Sequence, residues 1–187
     1  MPFGYVFIAN ETIEISNETI GIIVNSKKYG KKIVEIDRED YKRVKMFRWV
    51  FAGGYITSNT LGRIKTSGSI QIHRLIMSFP LNLDIDHIDR DKLNNKKNNL
   101  RACTAFENMR NRKKCSTLLT SKYKGVCKRK GAGKFIASIC ANGKRKTIGI
   151  FSSENEAAAA YNKKALELHG QFACINNFAL DDASDHP

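Results

Sequence analysis

Residues 119–151 contain nine basic side chains and not one acid. A solvated face mixes both signs, so an acid-free run of this length reads as a surface for a polyanion. The five cysteines (Cys103, Cys115, Cys127, Cys140, Cys174) are odd in number and form no CxxC pair, which argues against zinc and against a disulfide framework and for a reducing compartment. No apolar run approaches membrane-spanning length, and the start of the chain lacks the apolar core of a secretory signal. The expectation is an intracellular protein without a membrane partner.

What is present fits the same direction. The 187 residues carry 32 Lys and Arg against 18 acids, a net charge of +14 with a pI near 9.7, a balance suited to nucleic acid. Hydrophobic residues make up 42%, enough for one ordinary core or two small ones and too many for global disorder. The excess charge is uneven: residues 1–83 are net +5, 84–118 net +4, 119–151 net +9 and 152–187 net −4.

The stretch from Asp86 to Asn108 is the one around which the chain is organised. Asp86-His87 closes an apolar run (Leu83, Ile85), a polar basic loop follows, and Asn99 opens a second apolar run (Leu100, Ala102, Cys103). Thr104-Ala105-Phe106-Glu107 has the pattern of a capping box before a helix that would carry Asn108. The local expectation is strand, loop, strand, helix. Hard divalent cations take oxygen ligands, often only one or two from protein, so Asp86 and Asn108 are the candidate metal ligands. A neutral imidazole can take a proton from water, which makes His87 the candidate general base. Asn99, with donors and acceptors, can tie the loop down and hold His87. Neighbours on a flat strand point to opposite faces, so Asp86 and His87 can share a site only where the strand bends or ends. The alternative is a solvated strand end with asparagines as turn formers. A calcium loop fails, because Ile88 stands where its fifth position needs an oxygen.

The segment 70–114, with IHRLIM, DHID, NNKKNNLRACT and ENMRNRKK, resembles the HNH homing endonucleases of phages and mobile introns. The resemblance implies a ββα-metal nuclease core. In it Asp86 and Asn108 hold one divalent cation, Mg²⁺ or Mn²⁺ and not zinc, His87 is the base and Asn99 orients. Asn108 stands where the founding pattern has histidine.

Elsewhere the chain alternates between β-branched runs and polar breaks. Residues 7–36 read as short strands. Asp37 and Asp40 read as the cap and first turn of a helix with Tyr41, Val44 and Phe47 on one stripe. Trp49 and Phe51 read as anchors of a small core, with base stacking as the alternative for Trp49. Residues 55–57 and 70–72 read as a hairpin pair around a loop holding Arg63 and Lys65, and His73 begins a helical run, HRLIMSF. His73 is either a second catalytic histidine or a structural one. Residues 110–121 are polar and basic (Arg110, Arg112, Lys113, Lys114) and contain the expected linker, 115–121.

Three strand candidates follow, 123–129, 135–141 and 146–151, with Asn142-Gly143 as a hairpin signal. Ser153 and Glu156 form a second capping box, and the helix 154–169 stops at Gly170, with Ala157, Tyr161, Ala165 and Leu168 on one stripe. Alternation puts Phe135, Ala137 and Ile139 toward this helix and Lys134, Ile136, Ser138 and Cys140 on the other face. A small sheet with a basic outer face can enter the DNA major groove.

Residues 121–178, with SKYKGV, KFIASI, IGIF and EAAAAYNKKAL, resemble the apetala-two (ERF-type) DNA-binding domain, a three-stranded antiparallel sheet packed on one helix. The resemblance puts Lys124, Arg129 and Arg145 at DNA-contact positions. Cys127, Ser138, Cys140 and Thr147 replace base-reading residues of the plant members, so their target sequence does not transfer.

The expectation is an α+β chain. Residues 1–114 form a nuclease module, 115–121 a basic linker, 122–178 the apetala-two domain and 179–187 an acidic tail. Its expected activity is site-specific, metal-dependent cleavage of double-stranded DNA by a monomer in the cytoplasm of a bacterial or phage-infected host. Arg101, Lys124, Lys128, Arg129, Lys134 and Arg145 are the expected DNA-binding residues. The competing readings are a non-catalytic, sequence-specific DNA-binding protein with an inert HNH segment, and an RNA-binding protein supported by charge alone.

Overall fold

Strands β1 (Thr12–Glu14), β2 (Thr19–Ser26) and β3 (Gly30–Asp37) form an antiparallel sheet in that order. They are the first part of a computed structural model that describes residues 9–61, 64–112, 120–141 and 143–178. Arg63, Lys113, Lys114, Cys115, most of the expected linker and the acidic tail fall outside the described residues. The chain divides into two units, Met1–Ala105 and Phe106–Pro187.

In the first unit, the helix expected after Asp37 is a 3-10 turn (Arg38–Asp40) followed by one α-turn, α1 (Tyr41–Val44). Asp37 makes no cap bond there; its carboxylate instead accepts from the backbone N–H of Lys97 at 2.7 Å. Strands β4 (Val50–Ala52), β5 (Tyr55–Leu61) and β6 (Ile64–Gln71) make a second antiparallel sheet. The β5–β6 hairpin is longer than expected, with pairing from Thr57↔Gln71 out to Leu61↔Ile64. Its Thr- and Ser-rich middle lacks the apolar alternation that marks a strand. The HRLIMSF run yields only α2 (Ile72–Ile76), because Ser78 and Phe79 take positive φ and end it.

One core joins these pieces. Ile20, Ile22 and Val24 of β2, Val34 and Ile36 of β3, Val44, Phe47, Trp49, Ile56, Ile72 and Ile76 pack together with Ile85 and Leu100. The period-2 spacing of the isoleucines and valines is what turns one face of the first sheet inward. Trp49 is buried and its indole N–H donates to the carbonyl of Val44 at 2.9 Å, so it is a core anchor and not a base-stacking platform. Asn10 clamps the same point, accepting from the Trp49 N–H at 2.7 Å and donating to the carbonyls of Ile23 and Trp49.

The unit closes with β7 (Asp84–His87) and β8 (Leu100–Cys103), paired antiparallel in the register Asp84↔Cys103, Asp86↔Arg101 and His87↔Leu100. Ile85 and Leu100 hold this pair to the core, so the strand that carries Asp86 and His87 is mounted on packed hydrocarbon. Helix α3 (Ala105–Arg110) follows directly after Thr104.

In the second unit, β9 (Val126–Lys128), β10 (Phe135–Ala141) and β11 (Lys144–Phe151) form an antiparallel sheet in the order β11-β10-β9, packed on α4 (Glu154–His169). Strand β9 is shorter and β11 longer than expected. The capping box forms: Ser153 Oγ accepts from the Glu156 N–H at 3.1 Å while the Glu156 carboxylate accepts from the Ser153 N–H at 3.3 Å. Ala137 and Ile139 of β10 pack against Ala157, Ala158, Tyr161 and Ala165. Leu168 is not in that stripe, being 39% exposed, whereas Ala158 is buried with Ala157. Gly125 has φ +76° and lies so close to the Tyr161 ring that a Cβ would overlap it, so this position requires glycine for both conformation and space.

Candidate active site

Strand β7 ends at His87, where the backbone turns: the Arg90 N–H donates to the His87 carbonyl at 2.9 Å and the Ile88 N–H to the Asn99 carbonyl at 2.9 Å. Arg90 takes φ +69° in this turn. The end of the strand therefore falls at the Asp-His pair. Both side chains are buried, Asp86 at 7% and His87 at 6% exposure.

Asp86 faces its register partner. Arg101 donates from Nε at 3.0 Å and from Nη2 at 2.6 Å, both to Oδ2 of Asp86. Arg101, expected at the DNA surface, is thus engaged at the site, with its side chain 11% exposed. Such a pair is sheltered from solvent, and each charge offsets the desolvation of the other.

His87 meets Asn95, with Nε2 and Oδ1 3.2 Å apart, and the edge of His73, whose ring centroid is 5.2 Å away at 72°. Tyr55 lies beyond His73 at 5.7 Å, and the Lys92 ammonium sits 3.6 Å from the Tyr55 ring centroid. Burial pushes the His73 imidazole down to about 4, with the charges of His87, Arg74 and Lys92 acting in the same direction. Burial also lowers His87, against opposing contributions from the Asn95 hydrogen bond and from Asp89 and Asp86. Both rings are accordingly neutral at neutral pH, the form that can accept a proton.

The loop between the strands is built by asparagines. Asn99 donates to the Asp89 carboxylate and to the Asn94 carbonyl, each at 2.8 Å, and accepts from the Asp89 N–H at 3.0 Å. Asp89 also accepts from Asn94 Nδ2 at 2.8 Å and from the Asp91 N–H at 2.8 Å. Burial alone would raise the Asp89 carboxyl, but these hydrogen bonds outweigh it and hold it below the usual range. Asn99 therefore ties the loop, and Asn95 is the asparagine whose side-chain oxygen meets His87 Nε2. Asn95 is not among the residues that the sequence singles out. Its only signal was a polar residue that turns out to have no exposure at all.

The loop is also fastened to the first sheet. The Glu35 N–H donates to the Leu93 carbonyl and the Asn95 N–H to the Glu35 carbonyl, each at 2.8 Å. The Lys97 ammonium reaches Glu39 at 2.5 Å and the buried Asp40 at 3.3 Å. Residues 60 positions apart in sequence thus share the support of the site.

Asn108 lies on α3. The other expected DNA contacts belong to the second unit: Lys128, Arg129, Lys134 and Arg145 are exposed on or beside β9, β10 and β11, while Lys124 is half-buried. The ammonium of Lys124 donates to the carbonyls of Arg110 and Arg112 at 2.6 Å each. Among the described residues, no three His, Cys, Asp or Glu side chains come together as a metal-holding group. The four described cysteines, Cys103, Cys127, Cys140 and Cys174, are in no disulfide. No helix among the described residues is long and apolar enough to cross a membrane.

An acid and a neutral histidine thus stand together at the end of one strand of a strand-loop-strand whose loop is pinned by asparagines. Residues 71–110 match the family model described as HNH endonuclease. The chain is also 35% identical over 140 residues to an uncharacterized HNH endonuclease of Acanthamoeba polyphaga mimivirus, covering 71% of this chain and 68% of that one. The chain belongs to the HNH endonuclease family.

Proposed function

We propose that the chain is a site-specific, metal-dependent DNA endonuclease of the homing type, with His87 as general base and a C-terminal apetala-two domain as the DNA anchor. The observation that carries the reading is the buried Asp86–His87 pair at the end of β7, inside the segment 71–110 that matches the family. His87, kept neutral by burial, accepts the proton of the attacking water. Asn99 keeps the loop closed so that His87 does not move out of line. Asp86 and Asn108 each carry a side-chain oxygen of the kind a hard divalent cation takes, and they are the residues that would hold one. When bound, such a cation neutralises charge developing on the phosphate and the leaving oxygen.

In the division of labour we infer, residues 1–114 cleave and residues 122–178 hold DNA. The sheet of the second unit supports this, since Lys128, Arg129, Lys134 and Arg145 are exposed while Ala137 and Ile139 pack on α4. Incubation with supercoiled plasmid and Mg²⁺ or Mn²⁺, with and without EDTA, tests the reading. Nicking that requires the cation is expected. Tight binding with no cleavage of any duplex, including a random pool, would favour a non-catalytic DNA-binding protein instead.

A further inference from the structure

A side-chain amide has one accepting and one donating end, so whatever fixes one end fixes the other. Asn95 Nδ2 donates to the backbone carbonyl of Lys92 at 3.0 Å, and a carbonyl can only accept. The Oδ1 end is therefore the one turned to His87 Nε2, at 3.2 Å. Reversing the amide would set Oδ1 against the Lys92 carbonyl, two acceptors face to face in a place with no exposure to water. Nor can the residue swing away as a unit. Its N–H donates to the Glu35 carbonyl at 2.8 Å, and Glu35 in turn donates to the Leu93 carbonyl at 2.8 Å, so β3 grips the loop on both sides of Asn94.

We propose that Asn95 is a positioning residue that fixes the tautomer of His87, holding the proton on Nε2 and leaving the lone pair on Nδ1. An oxygen acceptor at Nε2 demands an N–H there, and a neutral imidazole has only one N–H. Under the reading of His87 as general base, Nδ1 is the nitrogen that carries the lone pair. His73 supports the same geometry from another side: its ring, carried by α2, meets His87 edge-on and limits rotation of the imidazole. The catalytic consequence rests on the reading of His87 as general base; the tautomer itself does not.

The test is ¹⁵N–¹H correlation spectroscopy of the full chain labelled at histidine, at neutral pH, with His87 assigned by its absence in His87→Gln. The expected wild-type spectrum has a protonated Nε2 and an unprotonated Nδ1. Asn95→Ala is expected to give a mixture of tautomers and to lower the single-turnover nicking rate by about 10- to 100-fold with DNA affinity unchanged. Asn95→Asp, which sets an oxygen against the Lys92 carbonyl and a carboxylate at Nε2, is expected to keep a proton on Nε2 but not to restore the rate. A wild-type His87 protonated on Nδ1 would overturn the proposal, even if neither variant folds. So would an Asn95→Ala spectrum identical to wild type. If the tautomer is as expected but the wild type nicks nothing, the tautomer assignment stands and the nuclease reading falls.

Discussion

Arg101 and Asp86 are partners twice, as the register pair of β7 and β8 and through two hydrogen bonds from the guanidinium to one carboxylate oxygen, at 3.0 and 2.6 Å. With side chains only 11% and 8% exposed, removing either leaves the other charged and poorly hydrated. Arg101→Ala and Asp86→Ala should each destabilise the first unit by about 3 kcal/mol. The double variant should cost less than the two together. Urea unfolding of the wild type and the three variants checks this; strictly additive losses would mean the ion pair contributes nothing.

His73 predicts an acid sensitivity. Its imidazole is depressed to about 4 in the folded protein, against an unfolded value near 6.5, so the unfolded chain binds more protons between those values. Stability should therefore be full above about 6.5 and fall as the pH drops toward 4. The loss from this residue by pH 5 is on the order of 2 kcal/mol. His87, lowered for the same reason, adds to it in the same direction. Thermal unfolding as a function of pH should show a flatter acid limb for His73→Asn than for the wild type. Parallel limbs would mean that His73 does not titrate in this range.

The basic sheet predicts a salt dependence. Neutralising Lys128, Arg129, Lys134 and Arg145 together should weaken DNA binding, with the slope of log affinity against log salt shallower by about 0.9 for each phosphate that the variant no longer neutralises. Residual nicking at low salt should survive, because Asp86, His87 and Asn99 are untouched. Fluorescence anisotropy across a salt series measures both affinity and slope. Unchanged values of both would place the DNA surface elsewhere on the chain.

The strand pair that carries the candidate site could be read from the sequence because its signals are local. The apolar run before Asp86, the asparagine twelve positions after His87 and the apolar run behind it led to strand, loop and strand, and β7 and β8 form there. The helix of the second unit was legible to the residue, since its capping box and Gly170 mark both ends. Asn95 was not legible. Its role depends on Glu35, a strand residue 60 positions before it, which no spacing rule connects to the loop. The same holds for Asp37, which reads locally as a helix cap and serves instead as an acceptor for Lys97. Arg101 looked like a free basic residue because its partner is set by the register of β7 on β8, a pairing in space. Leu168 fitted the helical stripe by spacing but is exposed, while Ala157, Tyr161 and Ala165 are buried against the sheet.

The most direct measurement is single-turnover nicking of supercoiled DNA in Mg²⁺ or Mn²⁺ by the wild type and His87→Ala, at equal and saturating protein. A general base contributes on the order of 10²- to 10⁴-fold, so the variant should bind DNA as the wild type does and nick at least about 100-fold more slowly. Equal nicking by His87→Ala would contradict the account.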